Sequence, residues 1–129
     1  MKAELDMMKI KFTAIPTLKI GDYGEALAFY VDLLGFELDW ENRMGPEEPV
    51  YMQVSGRGLT LHLSENERFS PKTFVYIDTL DLNGYHNELT GKKTGFYLPN
   101  VEKTPWRTRQ IEIEDPFGNV LRFNEPISE

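Results

Sequence analysis

The sequence predicts an α+β fold, and three observations carry the prediction. A strand-like run leads directly into a helix-spaced apolar stripe, which is followed by three short strand-like runs in the order βαβββ. The second half passes through the same order less clearly. The chain then closes on a hairpin signal, Thr108 to Glu125, TRQIEIEDPFGNVLRFNE. In that hairpin Pro116 presets φ at the second turn position, while Gly118 and Asn119 tolerate φ > 0, so the two runs can reverse about Asp115–Asn119. A two-layer α+β domain without duplication is the alternative, because periodicity alone does not separate the two.

The first strand is expected over Lys11–Ile20, with Pro16 allowed only at an edge, a bulge or a position whose N–H is not needed. A helix follows from Asp22, where Tyr23, Ala26, Leu27, Tyr30, Leu33 and Leu34 recur at helical spacing. Asp22 with Glu25 three residues on supplies the start signal, and Gly35 supplies the stop. Phe36–Glu41, Pro49–Val54 and Leu59–Ser64 read as short strands separated by Gly45-Pro46 and Gly56-Arg57-Gly58 turns. Thr73–Asp78 then reads as a strand and Asp81–Leu89 as a short helix. The segment KKTGFYLPNVEKTPW after Gly91 lacks periodicity, so a strand and a loop near a ligand site are both open there.

At 129 residues the chain suits one domain, 1–129, with a first module at about 11–66 and a second at about 72–126. No run approaches the roughly 20 apolar residues of a membrane helix, and no signal-peptide core is apparent, so a cytoplasmic address and no membrane partner are expected. Zero cysteines exclude disulfides, thiolate metal sites and cysteine nucleophiles. A formal charge of −7 disfavours nucleic acid as a partner and suits either simple solubility or a cationic ligand.

Four pieces of the chain together resemble the vicinal oxygen chelate superfamily, which includes glyoxalase I, extradiol dioxygenases and bleomycin resistance proteins. IPTLKIGDYGEALAFYVDLLGFEL resembles the opening strand and helix of a bleomycin-resistance-type protein, and GLTLHLSE its fourth strand. FVYIDTLD resembles the start of its second module, and TPWRTRQIEIEDPFGNVLRF its final segment. The likeness spans about Ile15 to Glu125. It implies paired βαβββ modules whose curved mixed sheets surround a cavity, and a homodimer whose cavities draw on both chains.

Metal-dependent relatives place ligands in the first, fourth, fifth and eighth strands, at positions that fall here near Ile15, His62, Lys72 or Thr73, and Arg122. Only His62 is a credible ligand, because a lysine ammonium offers no lone pair and a guanidinium repels a cation. No metal and no other cofactor is therefore expected. Glu125 falls on the opposite side of its strand from that register, and His86 is expected to be an exposed helix residue. The resemblance implies the metal-free bleomycin-binding branch, whose members sequester a cationic drug. An atypical lyase, isomerase or dioxygenase is the alternative reading, as is a dimeric interaction domain.

Six residues are candidates for ligand contact. His62 shares a strand face with Thr60 and Ser64, opposite Leu59, Leu61 and Leu63, and serves either the cavity or the structure. Phe74 and Tyr76 share a face of the fifth strand and offer flat apolar surface, although core packing also suits Phe74. Trp106, after Pro105, can stack on a ligand or anchor a loop or dimer contact; stacking on a cation contributes about 0.5–2 kcal/mol. Gln110, Glu112 and Glu114 alternate with Ile111 and Ile113, so Glu112 can select an amine, and Arg122 on the next strand can pair with it or hold a carboxylate. A solvent-facing row and a structural ion pair are the plainer readings of those residues.

Overall fold

In a computed structural model, which describes residues 9–128, two four-stranded mixed sheets share one apolar core. The N-terminal sheet is built from β1 (Thr17–Lys19), β2 (Glu37–Asn42), β3 (Tyr51–Gly56) and β4 (Leu59–Ser64), in the order β1-β4-β3-β2. The C-terminal sheet repeats that order as β5-β8-β7-β6, from β5 (Phe74–Asp78), β6 (Glu102–Lys103), β7 (Thr108–Glu114) and β8 (Val120–Pro126). In each sheet the first strand lies parallel to the last and the remaining pairs are antiparallel.

Helix α1 (Tyr23–Leu27) runs on as wider π-helical turns over Ala28–Leu33. It starts as the sequence predicts: Asp22 accepts a hydrogen bond from the Glu25 N–H at 2.8 Å, which satisfies one of the first-turn donors. Gly35, at φ +86°, supplies the left-handed stop. The buried stripe Ala26, Phe29, Tyr30, Leu33 and Leu34 packs into the core. Helix α2 (Leu82–Thr90) is capped by Asp81, whose side chain accepts from the Gly84 N–H. Glu125 adds a second cap from β8, accepting from the Asp81 and Leu82 N–H groups at 2.9 and 3.1 Å.

The first strand is much shorter than the expected Lys11–Ile20. Pro16 has no N–H to give the ladder, although its carbonyl still accepts from His62 at 2.9 Å, and pairing begins only at Thr17. The aperiodic segment after Gly91 forms a strap along the outer side of β7 and contributes only the two residues of β6.

The terminal hairpin turn is also a buried hub. Asp115 Oδ1 accepts from the N–H groups of Phe117 and Asn119, and Oδ2 accepts from Tyr30 Oη at 2.6 Å and from Asn119 Nδ2 at 2.8 Å. Asn119 also donates to the Lys19 carbonyl and accepts from the Thr73 N–H. One turn thus joins the helix, β1 and the entry to β5, with every polar side-chain atom of Asp115 and Asn119 paired.

Candidate functional site

Each sheet turns one face to the core and leaves the other open. On the N-terminal sheet the registers Thr17↔His62, Gln53↔His62 and Trp40↔Gln53 set one row of side chains across all four strands. A β-bulge between Leu38 and Trp40 creates this row. Leu38 pairs with core residue Val54, and simple alternation would send Trp40 inward with it; the extra residue turns Trp40 onto the open face.

Around His62 the rings form a continuous cluster. Trp40 stacks with Tyr51 at 6.1 Å between centroids and 11° between planes, while the His62 ring sits edge-on to both, 5.3 Å from Trp40 and 5.1 Å from Tyr51. Phe69 extends the cluster beyond Tyr51. The hydrogen bonds have a defined direction. Gln53 donates its Nε2 to Asp39 at 3.1 Å, which points its Oε1 at His62 Nε2, 3.0 Å away, and makes that nitrogen the N–H donor. His62 Nδ1 is then the acceptor for Tyr51 Oη at 2.8 Å, and Thr17 Oγ1 lies 3.2 Å from the same hydroxyl. Hydrogen bonds from Ser55 and then Gln53 hold the Asp39 carboxyl below the usual carboxylate range.

On the C-terminal sheet the registers Tyr76↔Arg122 and Glu112↔Arg122 bring together four of the six candidates, Phe74, Tyr76, Glu112 and Arg122. Phe74 and Tyr76 are 52% and 54% exposed, so the core reading of Phe74 does not hold. Arg122 lies over the Phe74 ring, 5.0 Å from its centroid, and its Nε donates to Glu112 Oε1 at 2.8 Å. Both partners of this ion pair are partly solvated, so its contribution to stability is at most about 1 kcal/mol. The pair instead holds the guanidinium over Phe74, while the neighbouring Tyr76 stays exposed. Trp106 stands apart in the turn before β7, 61% exposed, and His62 belongs to the other sheet.

The residues present do not fit the divalent centre of metal-dependent relatives. Both His62 ring nitrogens already hold hydrogen bonds, the register neighbour of His62 on β1 is Thr17, and Arg122 occupies the eighth-strand position beside Tyr76. Glu125 is committed to the α2 cap. His86 is half-buried rather than exposed, with Nε2 3.0 Å from the Pro99 carbonyl, so it ties the strap to α2. Among the described residues no group of three or more His, Asp or Glu side chains converges as a metal site.

Sequence reasoning missed Trp40, Tyr51, Gln53 and Phe69. Alternation along Tyr51–Gly56 carries the signal for Tyr51 and Gln53, since Met52 and Val54 between them are the apolar, buried positions. The bulge that exposes Trp40 leaves no comparable mark in the sequence.

A family model described as glyoxalase superfamily protein matches residues 3–129. Among solved structures, the chain is similar to the bleomycin-binding protein from bleomycin-producing Streptomyces verticillus complexed with copper(II)-bleomycin. The identity is 27%, the match covers 93% of this chain and 99% of that one, and the TM-score is 0.67. TnmS3, an antibiotic binding protein from Streptomyces sp. CB03234, is 26% identical over 92% of this chain and 98% of its own, with a TM-score of 0.68. A glyoxalase/bleomycin resistance protein/dioxygenase superfamily member from Sphaerobacter thermophilus DSM 20745 is 26% identical over 90% and 98%, with a TM-score of 0.67. No curated protein matches. The expected family and the expected pairing of βαβββ sheets are both borne out by these findings.

Proposed function

The chain belongs to the glyoxalase superfamily, and on that premise we propose that it is a metal-free small-molecule-binding protein whose ligands are cationic aromatic compounds. One observation carries the reading: Phe74 and Tyr76, two large rings on one strand, stay more than half exposed while a paired guanidinium is spread beside them. At half exposure each ring forgoes roughly half of the ~1.5–3 kcal/mol that full burial contributes, a loss that a ligand or partner recovers. The Trp40–Tyr51–His62 cluster on the other sheet offers a second flat surface of the same kind. A homodimer that brings the N-terminal face of one chain opposite the C-terminal face of its partner would enclose both surfaces around one ligand.

Three features support a cationic ligand: the net charge of −7, aromatic faces that attract cations, and Asp39 at the margin of the N-terminal face. The antibiotic-binding relatives make metal-free bleomycin a reasonable first probe. Trp40 lies within one face, so binding should quench its fluorescence. Saturable quenching by bleomycin or a simple cationic aromatic dye in chelator-treated protein, weakened at least tenfold in Phe74→Ala, is the expected result. Binding that appears only after a divalent metal is added would reject it. Sedimentation velocity tests the dimer: a monomer at all accessible concentrations would remove the shared cavity.

A further inference from the structure

A cavity of about 140 Å³ opens between the two halves of the molecule, walled by Leu34, Phe36, Leu59, Ile77, Tyr85 and Phe123. Leu34, Phe36 and Phe123 belong to the buried core, and Leu59, Ile77 and Tyr85 are half-buried beside them. An apolar cavity of about 150 Å³ holds one benzene molecule, so a single aromatic ring is the size of group that fits.

Two exposed side chains that line the cavity mark its mouth. Leu80 is 91% exposed, yet its backbone is pinned on both sides. The Thr79 N–H donates to the Asn124 carbonyl at 2.8 Å, and the Asp81 N–H donates to Glu125 Oε2 at 2.9 Å. A leucine held in water beside an apolar cavity gains burial when a ligand fills the cavity and touches it. Arg57 is the other. It opens the two-residue turn Arg57-Gly58 between β3 and β4, with φ values of +51° and +87°. Hairpin turns with both φ values positive favour Asn, Asp or Gly at the first position, so arginine is a strained choice there. What arginine adds is reach across to α2: Nη2 donates to Glu88 Oε1 at 2.7 Å, and the guanidinium carbon lies 5.3 Å from the centroid of the Tyr85 ring. Its Nε and Nη1 have no acceptor among the described residues. The other polar side chains of the lining hold no free donor. Tyr85 Oη donates to the Leu34 carbonyl, Thr79 Oγ1 donates to that of Ile77, and the Asp78 carboxylate only accepts.

Charge narrows the ligand further. The hydrogen bond from Arg57 lowers the Glu88 pKa, so the pair is ionised and carries no net charge. With Asp78 also in the lining and an overall charge of −7, the mouth has no excess positive charge to hold an anion. A cation would meet a guanidinium that only donates, whereas a neutral oxygen acceptor uses its spare N–H groups. We propose that this cavity binds a neutral, single-ring aromatic carbonyl compound, with the ring against Phe36, Leu59 and Phe123, Leu80 at its edge, and the carbonyl oxygen accepting from Arg57.

This site is separate from the open sheet faces, and its test separates the two. In a two-dimensional NMR titration of the isotope-labelled full chain, acetophenone should shift the Leu59, Ile77 and Leu80 amides saturably while the Trp40 indole signal stays in place. Toluene, a ring of the same size without the carbonyl, should bind more weakly. Arg57→Gly, which suits the turn, should weaken acetophenone at least fivefold and leave toluene within twofold. Leu59→Trp, which fills the cavity, should abolish the saturable shifts from both, and Phe74→Ala should change neither by more than twofold. If Leu59→Trp fails to fold, Leu80→Ala, at an exposed position, takes its place and should weaken both compounds at least threefold. Absence of saturable shifts, shifts centred on Trp40, or acetophenone binding undiminished in Arg57→Gly overturns the proposal.

Discussion

Replacing Asn119 with alanine tests whether the terminal turn holds the two halves of the molecule together. Asn119 is fully buried and makes three side-chain hydrogen bonds: to the Lys19 carbonyl at 2.8 Å, to Asp115 Oδ2 at 2.8 Å, and from the Thr73 N–H at 2.9 Å. Truncation strands a carbonyl at the end of β1 and an N–H at the entry to β5. Each orphaned group costs about 1–3 kcal/mol, and the lost bond to a carboxylate adds about as much. A water entering the vacated space offsets part of this, so we expect a loss of about 4 kcal/mol, a large share of the ~5–15 kcal/mol of a typical domain. Urea unfolding at pH 7 should show the midpoint falling with an unchanged slope. Asn119→Asp keeps the shape and the acceptor for Thr73 but sets a second carboxylate beside Asp115. Repulsion raises the folded-state pKa of the introduced carboxylate, so the variant's penalty should be largest at neutral pH and shrink as pH falls. A loss below about 1 kcal/mol for Asn119→Ala, or a pH-independent one for Asn119→Asp, would refute the reasoning.

Burial, and then the neighbouring Asp115 carboxylate, raise the Tyr30 pKa well above its ordinary value, and burial raises that of Tyr85. Both phenols are therefore held neutral in the fold: their contribution is complete below the unfolded value of ~10 and is lost as pH rises beyond it. Unfolding monitored from pH 8 to 12 should steepen above pH ~10, and less so in Tyr30→Phe and Tyr85→Phe. Gly56→Ala should destabilise by about 1–3 kcal/mol in urea titrations, because a Cβ there would lie 2.7 Å from Cδ1 of the buried Phe36 ring. Phe74→Ala and Tyr76→Ala, at exposed positions, should change the unfolding free energy by less than about 0.5 kcal/mol while weakening a cationic aromatic probe tenfold or more.

The parts of the fold that were legible are those in which local chemistry and tertiary need coincide. Asp22 with Glu25 marked the helix start because the cap is a contact three residues long, and Pro116-Phe117-Gly118 marked the turn because its φ angles restrict residue choice. The hub role of Asp115 and Asn119 was not legible, since their partners Tyr30, Lys19 and Thr73 lie far away in the sequence. Strand alternation correctly grouped Phe74 with Tyr76 and Glu112 opposite Arg122. It failed at Trp40, where one bulged residue reverses the pattern, and at the first strand, where Lys11–Ala14 alternates suitably but has no paired strand beside it. His86 was misplaced for a related reason: its hydrogen bond is to the strap carbonyl of Pro99, whose path no periodicity describes.

The most direct test of the binding account is a two-dimensional NMR titration of chelator-treated, isotope-labelled protein with metal-free bleomycin and a small panel of cationic aromatic compounds. The chain has two tryptophans, so the indole N–H signals of Trp40 and Trp106 report separately on the open face of the N-terminal sheet and on the turn before β7. The account predicts that at least one compound shifts the Trp40 indole and the β5 and β8 amides together, saturably and without added metal. No saturable shift from any member of the panel, or shifts that need a divalent ion, would contradict it.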